Sequence, residues 1–219
     1  MEDLRHGMKS EWLRRVLDVY VITDSRLSLG RSTVEIVSQA IAGGARVIQL
    51  REKHLSDREI VRMGFEIRRI TRHAGVIFLV NDRVDLALAL DADGVHLGQD
   101  DMPIGIARKL LGPSKIIGST VETQDEARRA EALGADYLGT GPVFPTDTKP
   151  DAGAPYGTSL IRRIKDSTSL PVVAVGGISL DNIAEVARAG ADGAAVIRAV
   201  VSQADVAQAV RDLVREFRA

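Results

Sequence analysis

Short apolar runs alternate with longer amphipathic runs along almost the whole chain. Eight runs rich in β-branched residues carry little polar character on either face, from "VYVITD" at Val19 to "GAAVIRA" at Gly193. Strands buried on both faces are typical of a parallel sheet covered by helices. Each intervening stretch has room for a helix, although "RVDLALALDAD" allows only a short one. The pattern therefore predicts a repeated strand–helix unit.

Helix boundaries are predicted by recurring residue types. In a capping box, a hydroxyl side chain accepts from the backbone N–H three residues on, and a glutamate there reaches back. Three such pairs occur: Ser32 with Glu35, Ser56 with Glu59, and Thr123 with Glu126. A glycine with left-handed backbone commonly ends a helix. We expect that role for Gly43, Gly75, Gly112, Gly134 and Gly190.

Eight strand–helix units in 219 residues predict a (β/α)8 TIM barrel near the small end of its size range. An open doubly wound sheet is the competing fold, and it usually has a glycine-rich turn after its first strand. Here the first strand is followed by "SRLSLGRS", which lacks that fingerprint. We expect a single barrel domain over residues 17–219, preceded by an extra helix or arm over residues 1–16.

The amino-acid composition excludes several classes of function. The formal net charge is −1, so the chain has no basic footprint for nucleic acid. There is no cysteine, which excludes disulfides, thiolate metal sites and a cysteine nucleophile. The N-terminus lacks the apolar core of a signal peptide, and no run reaches the ~18 apolar residues that span a bilayer. We expect a cytoplasmic protein with neither membrane nor nucleic-acid partners, and a homo-oligomer is left open.

Polar residues gather at the predicted carboxyl ends of the strands, where the active sites of TIM barrels lie. The opposite ends look plain by comparison. After the second strand, Gln49, Arg51 and Lys53 alternate and so share one side of the chain. With Lys149, they form a group suited to phosphate oxygens. Glu52 points to the other side, where we expect it to form a salt bridge.

Two further groups have their own chemistry. Asp82, Asp100 and Asp101 follow neighbouring strands, and a few carboxylates beside phosphate-binding groups suggest Mg²⁺. The backbone after strands seven and eight, in "VGGIS" and "VIRA", matches the phosphate site that recurs in this fold. The long loop "PTDTKPDAGAPYG" is typical of a functional lid. Two phosphate sites and one metal imply two phosphorylated substrates, or one long one.

Five motifs together resemble the thiamine phosphate synthase family. In chain order they are "YVITD", "QLREK", "VNDRVDLALALDADGVHLGQDD", "GPVFPTDTK" and "VAVGGI", and the likeness runs from about Val19 to Val210. The resemblance implies a transferase that joins 4-amino-2-methyl-5-hydroxymethylpyrimidine diphosphate to thiazole phosphate. Thiamine phosphate and pyrophosphate are the implied products, and Mg²⁺ is the implied cofactor. Pyrophosphate would leave first, before the thiazole nitrogen attacks.

The resemblance also implies a role for each matching residue. The implied ligands of the pyrimidine diphosphate are Gln49, Arg51, Lys53, Asn81, Thr120 and Lys149. The implied Mg²⁺ ligands are Asp82 and Asp101. The implied contacts of the thiazole phosphate are Thr146, Thr148, Gly177, Ile197 and Arg198. The expected catalytic residues are Arg51, Lys53, Lys149 and Thr120.

This chain departs from the family pattern at two positions. Glu122 stands where histidine is common, and Arg198 stands where a serine commonly faces the thiazole phosphate. Arg198 either binds that phosphate or contributes only its backbone N–H. Two other functions are alternatives: a thiazole tautomerase-like isomerase and a non-catalytic phosphate-binding barrel. The tautomerase typically lacks the Asn81–Asp82 pair, and a binding module needs no leaving-group machinery.

Overall fold

Eight parallel strands close into a barrel in chain order, with β8 paired to β1. The structure, a computed structural model, describes residues 2–148 and 153–219, and for residues 2–7 it describes the backbone alone. The strands are β1 (Val19–Ile22), β2 (Val47–Leu50), β3 (Ile77–Asn81), β4 (Gly94–Leu97), β5 (Ile116–Val121), β6 (Tyr137–Thr140), β7 (Val172–Val175) and β8 (Gly193–Val196). The predicted TIM barrel is confirmed, because its eight strand segments are those expected from the apolar runs.

Most helices lie between consecutive strands on the outside of the barrel, whereas the first precedes β1 and the last two follow β8. The helices are α1 (Glu2–Val16), α2 (Thr33–Ala42), α3 (Asp57–Ala74), α4 (Val84–Ala89), α5 (Ile104–Leu111), α6 (Gln124–Ala132), α7 (Ser159–Lys165), α8 (Ile183–Arg188), α9 (Arg198–Val201) and α10 (Val206–Arg218). A 3-10 turn, Ser25–Leu27, follows β1. No helix in the described ranges has both the length and the apolar character that a bilayer crossing needs.

Apolar side chains fill two regions. One lies between the strands and the helices, and the other fills the barrel interior around Tyr20, Leu79 and Tyr137. Leu13 of α1 and Leu17 after it are both 1% exposed and belong to the interior cluster. The N-terminal helix therefore packs against the barrel interior. The division of the chain at residue 16 stays a prediction.

Two of the three predicted capping boxes are complete. The hydroxyls of Ser56 and Thr123 each accept from the N–H three residues on, and the glutamate at that position reaches back to the cap. At α2, the Ser32 hydroxyl accepts from the Glu35 N–H at 3.2 Å. The Glu35 carboxylate accepts instead from the Gln39 amide at 3.2 Å, so this prediction was only half right.

The predicted positive φ is found at four of the five glycines, although Gly112 combines φ 73 with ψ −179 and so is not a left-handed α residue. Gly75, Gly112, Gly134 and Gly190 have positive φ, but Gly43 has φ −77 and its neighbour Gly44 takes φ 103. Gly43 meets a different constraint. A Cβ there would lie 2.5 Å from the Ala207 carbonyl oxygen, so glycine allows α10 to approach α2 closely.

The amino ends of the strands are not plain, which corrects the sequence expectation. An aspartate directly precedes each of four strands: Asp18, Asp93, Asp136 and Asp192. Asp93, Asp136 and Asp192 each accept from a backbone N–H of the neighbouring strand, at 2.7–2.8 Å. The fourth, Asp18, accepts instead from the N–H of the next residue, Val19, at 2.9 Å. We call the four residues the floor aspartates, and three of them join adjacent strands through side chain as well as backbone.

Each floor aspartate also has cationic partners from distant parts of the chain. Arg68 contacts Asp93 through both terminal nitrogens at 2.9 Å. The other pairs are Arg46 and Arg218 with Asp18, Lys9 and Arg108 with Asp136, and Arg14 and Lys165 with Asp192. Lys9 and Arg14 lie on α1, so these ion pairs fasten the N-terminal helix beneath the barrel. The local sequence pattern does not distinguish these aspartates from ordinary loop residues.

Candidate active site

A pocket of about 600 Å³ opens at the carboxyl ends of the strands. All the described residues that the sequence analysis assigned to the site line it. They are Gln49, Arg51, Lys53, Asn81, Asp82, Asp101, Thr120, Thr146, Thr148, Gly177, Ile197 and Arg198. Lys149 lies outside the described residues. Residues from seven strand ends and the loop after β6 thus meet in one cavity.

The end of β2 contributes the cationic part of the pocket. Gln49 is 2% exposed and donates to the Tyr20 hydroxyl. The Arg51 guanidinium, 11% exposed, lies 3.4 Å from the Asp24 carboxylate. Lys53 forms an ion pair with Asp82. All three alternating residues face the cavity, as period two requires.

Glu52, between them, faces away from the cavity. Its carboxylate accepts from the Ser25 N–H at 3.0 Å and from the Thr33 hydroxyl at 3.1 Å. Among the described residues it forms no ion pair within 4 Å, so the predicted salt bridge was wrong. The 3-10 turn after β1 and the start of α2 supply these neutral donors, and they satisfy the carboxylate without a cation.

Asp82 sits on an unusual backbone. Its φ is 62, and the Arg83 N–H donates to the Asn81 carbonyl at 2.7 Å across it, which closes a γ-turn. Aspartate tolerates left-handed backbone better than most side chains, but the conformation is still costly and clusters at functional sites. The turn directs the Asp82 carboxylate into the pocket, beside Lys53.

Asp101 joins Asp82 to form a pair of carboxylates. It accepts from the Gly98 N–H at 2.6 Å. Burial, together with the neighbouring Asp82 carboxyl, raises the pKa of Asp101 even though the Gly98 N–H and Lys53 oppose the shift. Two adjacent carboxylates repel each other when both are ionised, and a metal cation beside Lys53 would offset that repulsion. Within the described ranges, no histidine, cysteine or further acidic residue joins the pair to form a metal-binding group of three.

The ends of β7 and β8 bring backbone to the cavity. Gly177 has φ 64, and a Cβ there would lie 2.5 Å from the Pro145 carbonyl oxygen. Only glycine therefore allows this turn to pack under the loop that follows β6. Asn182 holds the turn by donating to the Gly177 carbonyl at 3.0 Å and accepting from the Ser179 N–H at 2.9 Å.

The loop after β6 is tied to the rim on both sides. Asp147 pairs with Arg198 at 2.9 Å, and the Tyr156 hydroxyl donates to Glu122 at 2.7 Å. The Glu122 contact raises the pKa of Tyr156. Glu122 and Arg198 are the two positions where the chain departs from the resemblance, and both contact this loop. Sequence analysis missed these partners because they depend on how the loop folds back.

A buried polar chain beneath the pocket was also missed. The His96 ring contacts the Tyr137 hydroxyl at 2.8 Å through Nδ1 and the Thr120 hydroxyl at 3.0 Å through Nε2. Tyr137 in turn contacts the Tyr20 hydroxyl at 2.9 Å. The available signal was a histidine at an inward position of a short strand, between Gly94 and Gly98.

Several known proteins resemble the chain over most of its length. The family model described as "Thiamine monophosphate synthase" matches residues 19–200. A thiamine-phosphate synthase of Moorella thermoacetica is 55% identical over 196 residues, which cover 90% of this chain and 93% of the relative. The one from Methanosarcina barkeri is 50% identical over 221 residues, covering 100% of this chain and 99% of the relative.

A solved structure gives the same result. The thiamine phosphate pyrophosphorylase from Pyrococcus furiosus superposes with a TM-score of 0.86 at 47% identity, over 94% of this chain and 98% of that one. The family match spans all eight strands and the residues that line the pocket from β1 to β8. This chain therefore belongs to the thiamine monophosphate synthase family.

Proposed function

We propose that this protein is a thiamine-phosphate synthase, a transferase that joins a pyrimidine diphosphate to a thiazole phosphate. The products are thiamine phosphate and pyrophosphate. The proposal rests on one observation above all: a single pocket holds the alternating Gln49, Arg51 and Lys53, an acidic pair, and the glycine turn after β7. Two relatives that are 50–55% identical to this chain are thiamine-phosphate synthases.

The acidic pair fits a Mg²⁺ ion. Mg²⁺ commonly uses one or two protein carboxylates and completes its shell with water and substrate phosphate oxygens. Asp82 and Asp101 offer two carboxylates side by side, and burial together with the Asp82 carboxyl raises the pKa of Asp101. We assign both residues as its ligands. When bound, Mg²⁺ would neutralise charge that develops on the departing pyrophosphate.

The chain's own cations act on the same leaving group. Arg51 would hold diphosphate oxygens through its planar fork, while Lys53 and Lys149 would supply point charges. Lys53 pairs with Asp82, so its ammonium lies beside the position assigned to the diphosphate. These charges stabilise the state in which the carbon–oxygen bond breaks and negative charge collects on pyrophosphate.

The second substrate needs a site that holds its nitrogen in line with the breaking bond. We assign its phosphate to Thr146, Thr148, the Gly177 turn and the start of α9 at Ile197 and Arg198. Gln49, Asn81 and Thr120 hold the pyrimidine. No protein nucleophile takes part, because the thiazole nitrogen attacks the pyrimidine methylene directly. Positioning of the two bound substrates therefore supplies much of the rate.

A direct assay tests the function. Purified protein is mixed with both substrates and Mg²⁺, and thiamine phosphate is followed by mass and by fluorescence after oxidation. We expect product that depends on both substrates. Incubation with thiazole phosphate alone tests the tautomerase alternative, since that enzyme would isomerise it. Binding of both substrates without turnover would instead favour a phosphate-binding barrel. A cytoplasmic location stays a prediction, and the oligomeric state stays open.

A further inference from the structure

Five polar side chains form a continuous hydrogen-bonded path through the barrel interior. Gln49 of β2 donates to Tyr20 of β1, and Tyr20 contacts Tyr137 of β6 at 2.9 Å. Tyr137 contacts His96 of β4 at 2.8 Å, and His96 contacts Thr120 of β5 at 3.0 Å. The path, which we call the interior relay, begins and ends at residues that line the pocket.

The barrel is built to make room for the interior relay. A Cβ on Gly118 would lie 2.1 Å from the Tyr137 ring, and a Cβ on Gly139 would lie 2.9 Å from the His96 ring. Any larger residue at Gly118 would therefore displace the Tyr137 ring. Tyr20 and Tyr137 are both almost fully buried, at 1% and 0% exposed. Burial raises the pKa of each tyrosine, so both keep their hydroxyl protons at neutral pH.

Counting protons gives the interior relay a direction. The Tyr20 oxygen accepts from the Gln49 amide. Either hydroxyl could donate in the contact between Tyr20 and Tyr137, but the described residues offer the buried Tyr20 proton no other acceptor, so we assign that proton to Tyr137. The Tyr137 oxygen then accepts, and its own proton goes to His96 Nδ1. A neutral imidazole that accepts at Nδ1 carries its proton on Nε2. That proton is donated to the Thr120 oxygen, which leaves the Thr120 hydroxyl proton available to the pocket.

We propose that Tyr20 and Tyr137 are positioning residues that set the tautomer of His96 and so make Thr120 a hydrogen-bond donor to the substrate. The substrate atom that Thr120 recognises is then one with a free lone pair, such as an unprotonated ring nitrogen. A Thr120 oxygen that had to donate back to His96 would offer no proton to such an atom. The interior relay thus selects for an acceptor at this position. The substrate part of the proposal rests on the proposed function, whereas the tautomer does not.

The tautomer is measured without substrate. The protein has four histidines, so it is labelled with ¹⁵N-histidine and the His96 signals are assigned by their loss in His96→Gln. Long-range ¹H–¹⁵N spectra at pH 8 distinguish the two neutral tautomers. We expect His96 to carry its proton on Nε2. In Tyr137→Phe, which keeps the ring but removes the hydroxyl, we expect the shifts to move toward a mixture of tautomers.

A matched control uses the remaining tyrosine. Tyr156→Phe also removes one hydroxyl, but on the loop after β6, and should leave the His96 signals unchanged. A wild-type His96 with its proton on Nδ1, or doubly protonated at pH 8, would overturn the proposal. This result needs only the wild-type protein, so it stands even if Tyr137→Phe fails to fold. It also stands if the protein makes no thiamine phosphate.

The link to substrate is tested by a double-mutant cycle. Tyr137→Phe and Thr120→Val should each lower kcat/KM for the pyrimidine diphosphate by about tenfold, the effect of one hydrogen bond. If Tyr137 acts through Thr120, the double variant should be no worse than Thr120→Val alone. Thr120→Ser, which keeps the hydroxyl, should restore most of the activity. Additive losses of about a hundredfold in the double variant would show that the two residues act separately.

Discussion

Methionine substitutions along the end of β2 separate catalysis from stability. Arg51→Met, Glu52→Met and Lys53→Met place the same unbranched apolar side chain at three consecutive positions. Arg51 and Lys53 face the pocket, whereas Glu52 accepts hydrogen bonds from Ser25 and Thr33 behind it. We therefore expect the outer two substitutions to lower kcat/KM and the middle one to lower stability.

The expected losses follow from the contacts. A charge-assisted hydrogen bond is worth about 1.5–3 kcal/mol, so losing Arg51 should lower kcat/KM roughly ten- to 150-fold. Its removal should cost little stability, because Asp24 keeps Arg26 at 3.0 Å. Glu52→Met leaves two donors without an acceptor, at about 1–3 kcal/mol each. For a chain of this size, that sum predicts a Tm lower by roughly 4–24 °C.

The assay combines kinetics and melting. The value of kcat/KM for the pyrimidine diphosphate is measured at saturating thiazole phosphate and Mg²⁺, well below each variant's Tm. Thermal melts without ligand report stability. The reasoning fails if Glu52→Met, while still folded, proves the most damaging of the three to kcat/KM. It also fails if Arg51→Met destabilises the protein as much as Glu52→Met does.

Three further predictions concern other parts of the molecule. The raised pKa of Asp101 means that its ionisation costs stability as pH rises through that pKa. Asp101→Asn should therefore raise the Tm of the metal-free protein at pH 7, but not at a pH below the ordinary pKa of aspartate. Mg²⁺ should raise the Tm of the wild type more than that of the variant. An equal Mg²⁺ shift in both would rule out Asp101 as a ligand. Arg198→Ala should raise the KM of the thiazole phosphate more than that of the pyrimidine substrate, whereas Asp147→Asn, which breaks the same ion pair, should not; matching effects would mean that Arg198 acts only through the loop. Asp136→Asn removes the charge of a buried aspartate that pairs with Lys9 and Arg108. It should lower the free energy of unfolding by about 3–5 kcal/mol without changing the kcat/KM of the folded enzyme. An unchanged Tm would contradict the role given to this residue.

Sequence periodicity was sufficient for the barrel and for much of the pocket. Strands of a TIM barrel are buried on both faces, so each appears as an apolar run that ends where polar side chains begin. That boundary marks the pocket, which is why residues such as Arg51, Asp82 and Asp101 could be selected before their positions in space were known. Alternation also assigned Arg51 and Lys53 to one face and Glu52 to the other.

Contacts between residues distant in sequence were beyond this reasoning. Glu52 was expected to form a salt bridge, but its carboxylate accepts from the neutral donors of Ser25 and Thr33. The link between Tyr20 and Tyr137 spans 117 positions and depends on the closure of the barrel. Local pattern identifies each tyrosine only as a large core residue. In the same way, Gly43 was expected to end α2 with a left-handed backbone, whereas it ends the helix with φ −77 and leaves room for α10.

The floor aspartates have a consequence for how such a barrel changes during evolution. Their charges are matched by lysines and arginines of the same chain, so ion pairs within the protein hold this end of the barrel. At the mouth, by contrast, Arg51 and Lys53 face the pocket, and we expect their replacement to cost little stability. Substitutions there can alter the chemistry while the barrel remains closed. We therefore expect new activities to arise most readily by substitution at the carboxyl ends of the strands, while the four floor aspartates and their cationic partners are kept.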